Sequence, residues 1–454
     1  MSRPVGQYDP TMEWGRAFRR RPVLTNTAIL TGSALLERFL GGFYRVVLAR
    51  TAGPETLGLL QYCLPFLRLG LIVATLGLPA ALTKAVAEAM ARGKNDEAAA
   101  MAVWALRTVG FVSLALSGGL LILAPLWRPL FPDPRVWPLF GRLAPVLVAA
   151  AVGMVLQGWQ QGRNRMWTLA LAGLWGQLGK LGLGVFLITR AAQRGPVAMA
   201  KAALTAMAAS EIMVCLFLFF TGRLTASSPP RRAVVSRLLR LALPLMGDGL
   251  VFALAGAADM VIIPARLLAA GYRPTAITSM VGRAWGMAFP TLFLPMVFVW
   301  PLSAANLPVV AAQTARKELR GLRRRIGRLY LTVTGISLVA AAAFSLLARP
   351  VVATLYSAPE AAPFLAAFAW AAPPIYLAGL GGDLLVALGL TRSLFGHSVF
   401  SVIVRTGLIY LFTGRPRLGI FGAVLGVACG NGLLAVTTGW TVKKHVEELE
   451  KGGF

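Results

Sequence analysis

The sequence predicts an all-α, polytopic membrane protein with about twelve transmembrane helices arranged as two pseudo-symmetric six-helix bundles. Three observations lead to this fold class. Hydrophobic residues make up 57% of the 454 residues and charged residues only 14%, a balance that a soluble domain of this size does not need. Apolar segments long enough to cross a bilayer recur along the whole chain. Short sequence patterns of the first half return in the same order in the second half.

The first half of the chain contains a basic tail and then a six-helix bundle. Residues 1–22 are polar and rich in arginine, and no signal-peptide cleavage pattern follows them, so we expect a cytoplasmic tail. The bundle covers residues 23–222. Its apolar segments lie at roughly 24–50, 58–90, 100–124, 139–161, 167–189 and 198–222.

The second half repeats this organisation after a linker. Residues 223–238 are rich in Arg, Ser and Pro and predict a cytoplasmic connection. The second bundle covers residues 239–440, and a short charged tail follows at 441–454. Its apolar segments lie at roughly 239–270, 277–314, 328–349, 362–390, 392–412 and 418–440.

The distribution of positive charge predicts the orientation in the membrane. Lysine and arginine are more frequent in the segments that share a side with both termini than in those on the opposite side. This asymmetry has the sign of the positive-inside rule, so we expect both termini in the cytoplasm of a bacterial cell, with the protein in its cytoplasmic membrane.

The internal repeat predicts a parallel relation between the bundles. Leu48-Ala49-Arg50 returns as Pro264-Ala265-Arg266, and the pattern that begins LPAALTK at Leu78 returns as LPVVAAQ at Leu307. Lys180-Leu181-Gly182 likewise returns as Arg405-Thr406-Gly407. Because each half has an even number of helices, both halves have the same orientation and are related by an axis along the membrane normal.

Cations inside the predicted spans are the candidate binding residues. A cation in hydrocarbon costs at least about 2.5 kcal/mol, so it normally faces a wet cavity or a partner. Arg38 and Arg45 lie seven residues apart on one face of the first helix, and Lys180 and Arg405 occupy equivalent mid-helix positions in the two halves. Several converging guanidinium groups suit a phosphate or pyrophosphate. The candidate set is Arg38, Arg45, Arg68, Lys180, Arg283 and Arg405.

Acidic residues in the spans leave an alternative open. Glu37 and Asp259 are possible charge partners of these cations or residues that couple transport to an ion. Under the alternative, the cations pair within the protein or reach the membrane surface, and no shared cavity exists.

The sequence contains no pattern typical of an enzyme. No HExxH, GxSxG or P-loop motif occurs, and the three cysteines lie in apolar segments at unrelated spacings. We therefore expect no catalytic residue, no metal site and no cofactor. The net charge of +28 fits anionic membrane lipids and an anionic cargo, and no basic segment has the form of a nucleic-acid reader.

Two stretches resemble a known family. The block LERFLGGFYRVVLARTAGPETLGLLQYCLPF and the following LGLPAALTKAVAEAMARG are similar to the polysaccharide-transporter branch of the multidrug/oligosaccharidyl-lipid/polysaccharide (MOP) flippase superfamily. The likeness extends to the stage V sporulation protein B group and, more distantly, to murein lipid II flippases. It implies a V-shaped transporter whose two bundles rock around a central cationic cavity.

The resemblance also implies site residues and a cargo. Arg38 matches a functional arginine of the lipid II flippases, Tyr44 stands where a second one lies with Arg45 beside it, and Arg68 and Arg283 match within a residue or two. The expected function is flipping of an undecaprenyl-pyrophosphate-linked sugar, either a peptidoglycan precursor or a polysaccharide repeat unit, for which a monomer would suffice. The alternatives are a cation-coupled multidrug exporter and a non-transporting scaffold for envelope or spore assembly.

Overall fold

The computed structural model describes residues 22–122, 124–222, 224, 230 and 232–451, and within these ranges it contains helices and no β-strand. The all-α prediction is therefore confirmed for the described chain. The predicted basic tail lies outside the described residues apart from Pro22. Of the predicted linker, residues 223, 225–229 and 231 lie outside them, and residues 232–238 form the start of the helix Arg232–Ala269. The last helix continues through Glu450, so most of the predicted charged tail is helical.

The first half, residues 22–222, contains seven α-helices. They are α1 (Pro22–Thr75), α2 (Leu78–Ala91), α3 (Asn95–Ile122), α4 (Ala124–Trp127), α5 (Trp137–Gly162), α6 (Met166–Ala191) and α7 (Pro196–Gly222).

The second half, residues 232–451, begins with a long helix and then a broken one. It contains α8 (Arg232–Ala269), α9 (Pro274–Val281), a π-helical segment (Gly282–Ala288), α10 (Phe289–Thr291), α11 (Met296–Ala315), α12 (Leu319–Leu346), α13 (Ala348–Tyr356), α14 (Ala362–Ala369), α15 (Ala372–Ala387), α16 (Thr391–Thr413) and α17 (Ile420–Glu450).

The helix lengths agree with a polytopic membrane protein. In the described part of the chain, 10 helices are long and apolar enough to cross a membrane, or 11 if the pair Pro359–Ala369 and Ala372–Ala387, bent by 51°, is one span. The first of these segments, Gly32–Ala91, has 60 residues, three times what a bilayer core requires. It contains a break at Gly53, and counting its two sides separately gives the predicted twelve spans.

Gly53 separates the first two transmembrane helices without a loop. Its φ of 74° and ψ of 175° lie outside the helical region, in a conformation that a side chain disfavours. We call residues 22–52 the first arm of α1 and residues 54–75 its second arm. Pro54 follows directly, and its missing N–H suits the first position of a new helix.

The predicted helix at 277–314 is broken in the structure. The α-helical pattern of α9 gives way to the π-helical segment at Gly282 and resumes at Phe289, and residues 292–295 separate α10 from α11. Pro290 and Pro295 account for the interruption between α10 and α11, because proline lacks the N–H that a continuing helix needs. Pro301 and Pro308 lie inside α11.

The two halves pack internally in the same manner. The first arm of α1 packs on α6 in the first half, and its counterpart α8 packs on α16 in the second. In each half the last two helices, α6 with α7 and α16 with α17, form an extensive contact. This correspondence agrees with the predicted parallel repeat.

Close packing holds the halves together at two levels of the molecule. We call the level of Gly53 the Gly53 end. We call the opposite end, where α8 begins, the linker end; towards it a Cβ at Gly77 would lie 3.1 Å from the carbonyl carbon of Ala242, and Arg237 contacts Glu88 at 2.9 Å.

At the Gly53 end, a Cβ at Gly58 would lie 2.8 Å from the carbonyl carbon of Thr278, and a Cβ at Gly282 would lie 2.8 Å from the Gly58 nitrogen. The absence of both side chains therefore lets the second arm of α1 approach the broken helix of the other half.

Candidate functional site

Arg38 lies at the boundary between the halves. Its guanidinium carbon is 3.5 Å from the centroid of the Trp300 ring, which belongs to α11 of the other half. A cation over an indole face gains electrostatic energy from the ring quadrupole. Arg38 is exposed and forms no ion pair within the described residues, so its charge is not neutralised by a carboxylate.

Arg45 is the centre of a cluster of positive side chains. It lies within electrostatic range of Arg68 on the second arm of α1 and of the Tyr356 hydroxyl at the end of α13. Lys180 on α6 is within the same range of Arg45 and of Glu211 on α7. The fold therefore brings Arg45, Arg68 and Lys180 together, with one carboxylate in their neighbourhood.

Tyr356 lies on the side of the second half that faces this cluster. Its hydroxyl is 3.0 Å from the Thr291 hydroxyl of α10, and Tyr356 is buried. The electrostatic interaction with Arg45 crosses between the halves, and Arg50 of the same helix arm donates to the neighbouring Leu355 carbonyl, so the cluster lies at their interface. Nothing in the local sequence of Tyr356 or Trp300 separates them from ordinary core aromatics.

Arg283 lies in the π-helical segment next to Gly282, where this segment packs closely against Pro54 and Gly58 of the second arm of α1. Arg283 is partly buried, and its Nε has no hydrogen-bond partner among the described residues. π-helical turns are frequent at functional sites, so the unpaired Arg283 belongs to the candidate set.

Glu37 does not pair with the neighbouring Arg38. Residues i and i+1 of a helix do not face each other. The Glu37 carboxyl lies against α6 and occupies the space that a Cβ at Gly173 would fill. Arg38 points instead to the other half. Within the described chain Glu37 has no ion pair, so its predicted roles as charge partner or coupling residue stay predictions.

Arg405 differs from the other predicted cations. Its guanidinium donates to the Asp259 carboxylate at 2.6 Å, and the two side chains are only 15% and 7% exposed. The contacts of the described residues do not bring Arg405 to Arg45 or Arg68. A binding role for Arg405 stays a prediction. The pair with Asp259 agrees with the alternative left open by the sequence, because a buried charge needs a partner and Asp259 provides it.

The repeat thus carries opposite charge patterns in its two halves. The first arm of α1 and α6 place Arg45 beside Lys180, whereas the corresponding helices α8 and α16 place Asp259 beside Arg405. The first half keeps uncompensated positive charge at the interface, whereas at the equivalent position the second half pairs Arg405 with Asp259 and leaves Arg283 as its unpaired cation. An anionic group between the halves would be attracted mainly to the first half.

A second charged cluster, which we call the clasp, joins the halves at the Gly53 end. It consists of Asp133, Arg135, Glu55 and Thr278. Arg135 contacts Asp133 at 2.8 Å and Glu55 at 2.6 Å, and the Thr278 hydroxyl of the second half donates to Asp133 at 2.7 Å. The sequence alone does not reveal this cluster, because Glu55 and Thr278 are distant in sequence from Asp133 and Arg135.

Asp133 is ionised despite its burial. Only 1% of its surface is exposed, and burial alone would raise its pKa. Hydrogen bonds from Arg135 and Thr278 outweigh burial and hold the pKa of Asp133 below its ordinary value.

Arg50 and Arg266, the arginines repeated near the end of the first helix of each half, both lie at the Gly53 end. Arg50 donates to the carbonyls of Thr354 and Leu355 at the end of α13, in the other half. Arg266 donates at 3.0 Å to the carbonyl of Tyr410 in the last turn of α16. Both cations satisfy carbonyls at the negative end of a helix, which explains why the pattern occurs twice.

Comparison with known proteins identifies the class. The model of the family described as polysaccharide biosynthesis protein matches residues 23–313, so the chain belongs to this family. It is 29% identical to stage V sporulation protein B of Bacillus subtilis over 440 residues, which cover 94% of this chain and 84% of that one. It is 24% identical to sporulation protein YkvU of the same organism over 420 residues, or 89% and 92%.

Solved structures show the same fold. A multidrug resistance MATE family transporter of the MOP superfamily in its inward-facing conformation has a TM-score of 0.74 at 19% identity, covering 91% of this chain and 96% of that one. Its outward-facing conformation scores 0.62 at 20% identity, with 94% and 96% covered. A MOP superfamily transporter from Pyrococcus furiosus scores 0.59 at 20% identity, covering 94% and 95%. The V-shaped transporter fold is therefore confirmed.

Proposed function

We propose that this protein is a flippase that moves an undecaprenyl-pyrophosphate-linked sugar across the bacterial cytoplasmic membrane by alternating access. The lipid tail would stay in the bilayer beside the inter-half face. Arg38, Arg45, Arg68 and Arg283 would hold the pyrophosphate, with Lys180 behind Arg45 adding to the positive potential. Arg405 and Asp259 would support the second half from within.

The uncompensated charge of the first half carries this proposal. Arg45, Arg68 and Lys180 share one neighbourhood with a single carboxylate, Glu211, and Arg38 reaches the same boundary. A guanidinium presents two parallel donors to phosphate oxygens, which makes this group suited to a pyrophosphate. The family is described as polysaccharide biosynthesis protein, which agrees with a sugar-bearing cargo.

The state of the molecule supports transport by alternating access. The Gly53 end is closed by the clasp, by Arg50 and by the packing of Gly58 and Gly282. The chain is also more similar to the inward-facing than to the outward-facing form of the MATE family transporter. With both termini cytoplasmic, as the charge distribution predicts, the closed end is the outer one. A cargo that binds the two states with different affinity would shift their populations.

A cation-coupled multidrug exporter is the second candidate, and the solved MATE transporters of the same fold favour it. A cationic drug would need uncompensated carboxylates at the interface. The described interface instead presents Arg38, Arg45 and Arg68, and Asp259 is neutralised by Arg405. The charge therefore supports an anionic cargo over a cationic one.

A transport assay in proteoliposomes tests the proposal. Wild-type protein should move a fluorescent undecaprenyl-pyrophosphate-linked sugar, and Arg45→Ala should reduce the initial rate at least about tenfold, the effect of losing one charge-assisted contact. Arg190→Ala is the matched control. Arg190 lies over the Phe186 ring near the end of α6 and has no contact with the cluster, so the rate should not change.

The same vesicles decide between the candidates. Efflux of an ethidium-type cation with no movement of the lipid-linked sugar would contradict the flippase and support the exporter. Movement of neither cargo by folded wild-type protein would support the scaffold. Wild-type rates for both Arg45→Ala and Arg38→Ala would disprove the site.

A further inference from the structure

A groove at the linker end of the second half lies away from the candidate transport site. It has a volume of about 360 Å³ and runs between the start of α12 and the last turns of α17. The lining residues of α12 share one helix face, and so do those of α17. They are Arg323, Ile326, Gly327 and Tyr330 from α12, and Gly439, Val442, Lys443, Val446 and Glu447 from α17.

The groove crosses the boundary between hydrocarbon and water. Helix α12 has no charged residue after Arg328, and α17 has none before Lys443. Tyr330 and Gly439 therefore lie on the apolar side, while Arg323 and Lys443 lie on the aqueous side. Trp440 is 62% exposed and its ring lies 5.3 Å from the Lys444 ammonium, a pair typical of the membrane interface.

Positive charge is concentrated where the groove opens to water. Arg320, Arg323 and Arg324 also line an adjoining open cleft of about 750 Å³. Arg323 contacts Glu450 at 3.5 Å and Lys443 contacts Glu447 at 3.8 Å, but Arg320 and Arg324 form no ion pair in the described part of the chain. The rim therefore has a surplus of cations over carboxylates.

These arginines do not serve the stability of their own helix. They lie in the first two turns of α12, at the positive end of the helix macrodipole, where cations are unfavourable. An anion bound at this position would interact favourably with the helix dipole and would reduce the repulsion among the guanidinium groups. A helix face that is apolar at one end and carries this charge at the other matches a phospholipid, with the phosphate at the rim and an acyl chain along the floor.

We propose that the groove between α12 and α17 is a binding site for an anionic phospholipid such as phosphatidylglycerol. Arg323 and Lys443 contact the phosphate, and Arg320 and Arg324 add long-range attraction. The acyl chain lies over Gly327, where the absence of a side chain leaves open space, and against Val442. This site is independent of the transported cargo.

Lipid retention by the purified full-length protein tests the charged part of the site. In native mass spectrometry with equal amounts of phosphatidylglycerol and phosphatidylcholine, wild-type protein should retain phosphatidylglycerol preferentially. The double variant Arg323→Gln/Lys443→Gln should lose this preference at least about tenfold. The charge-matched control Arg349→Gln/Arg417→Gln removes two exposed arginines at the Gly53 end and should keep it. Equal loss in both double variants would overturn the proposal, because it would indicate net charge alone.

A second pair of variants tests the apolar part. A Cβ has no neighbour within 4 Å at either Gly327 or Gly335, so leucine at these positions fits without a clash. Gly327→Leu fills the groove and should reduce phosphatidylglycerol retention, whereas Gly335→Leu on the same helix should not. Unchanged retention in Gly327→Leu would overturn the acyl-chain placement. Millimolar inorganic phosphate should not displace the lipid, and displacement would show a site for free anions instead.

Discussion

At the scale of single residues, the fold decides which buried cations are free and which are paired. Arg405 and Lys180 stand at equivalent positions in the repeat, yet only Arg405 has a carboxylate at hydrogen-bond distance. Removing one partner of a buried ion pair is strongly destabilising, because the other charge stays buried and unpaired. Replacing both partners by apolar residues of similar volume is often neutral, because both charges then escape desolvation. Arg405 is therefore paired within the second half, whereas Arg45 and Lys180 are the cations that the proposed function uses at the equivalent place in the first half.

Breaking the Arg405–Asp259 pair from one side should destabilise the protein. We expect Asp259→Asn to lower the unfolding free energy by about 3–5 kcal/mol, since it leaves the guanidinium buried without its charge partner. The double variant Arg405→Met/Asp259→Leu should recover most of this loss. Thermal unfolding in detergent measures both. If the double variant regains its stability but no longer transports, Arg405 belongs to the binding site after all.

At the scale of elements, short connections position the clasp. The break at Gly53 places Glu55 at the start of the second arm of α1, the loop before α5 carries Asp133, and α9 presents Thr278. Glu55 and Asp133 both pair with Arg135, and the Thr278 hydroxyl, which donates to Asp133, also lies 3.1 Å from the carbonyl oxygen of Pro274. The clasp is therefore a joint property of three connections, and it must open if the Gly53 end opens.

The pH dependence of stability should reveal the Asp133 charge. Its pKa is lower in the folded protein than in the unfolded chain, so its contribution is complete above the unfolded value of about 3.9 and is lost as the pH falls through the lower folded pKa. At pH 7, Asp133→Asn should lower the unfolding free energy by about 1–3 kcal/mol.

Melting temperatures of wild type and variant, compared between pH 7 and pH 3, measure this contribution. The difference should be constant down to about pH 5 and shrink below about pH 4. The control Glu360→Gln changes an exposed acid at the same end and should give no such difference. A constant difference at all pH values would mean that Asp133 acts through its shape alone.

At the scale of the whole molecule, the two halves are alike in packing and unlike in charge. Their helices follow the same order, but the first half presents uncompensated cations to the interface and the second presents aromatic and hydroxyl groups such as Trp300 and Tyr356. The structure has a higher TM-score against the inward-facing than against the outward-facing form of a MATE family transporter. The proposed function requires an opening and closing equilibrium at the Gly53 end, in which the contacts between α1 and the broken helix would separate.

Gly58→Ala should shift this equilibrium by separating the halves. The added methyl group has no room beside the Thr278 carbonyl, so the closed Gly53 end becomes less stable. Spin labels introduced by Arg128→Cys and Glu360→Cys, with Cys215 and Cys429 replaced by Ser, should report a longer distance than in the parent protein. Gly42→Ala on the same helix has open space around its Cβ and is the control. An unchanged distance in Gly58→Ala would show that the contact does not limit opening.

The sequence predicts most of this architecture for identifiable reasons. Apolar length fixes the spans, because backbone groups in lipid must be satisfied within a helix. Repeated short patterns, such as the arginine after the first helix of each half, predict the parallel repeat, and Arg50 and Arg266 indeed perform the same capping role. The break of the helix near Pro290 is visible as proline content, although the π-helical segment before it is not.

What the sequence by itself determined is the membrane class, the order of the helices, the repeat and the list of cations that a bilayer cannot leave exposed. Only the tertiary structure decided which of them share a site, because charge compensation depends on distances between residues far apart in the chain. Asp259 lies 146 positions from Arg405 and Thr278 lies 145 from Asp133. Hydrophobic periodicity reports the face of a helix that is buried, but the identity of the partner on the other side is a property of the assembled fold.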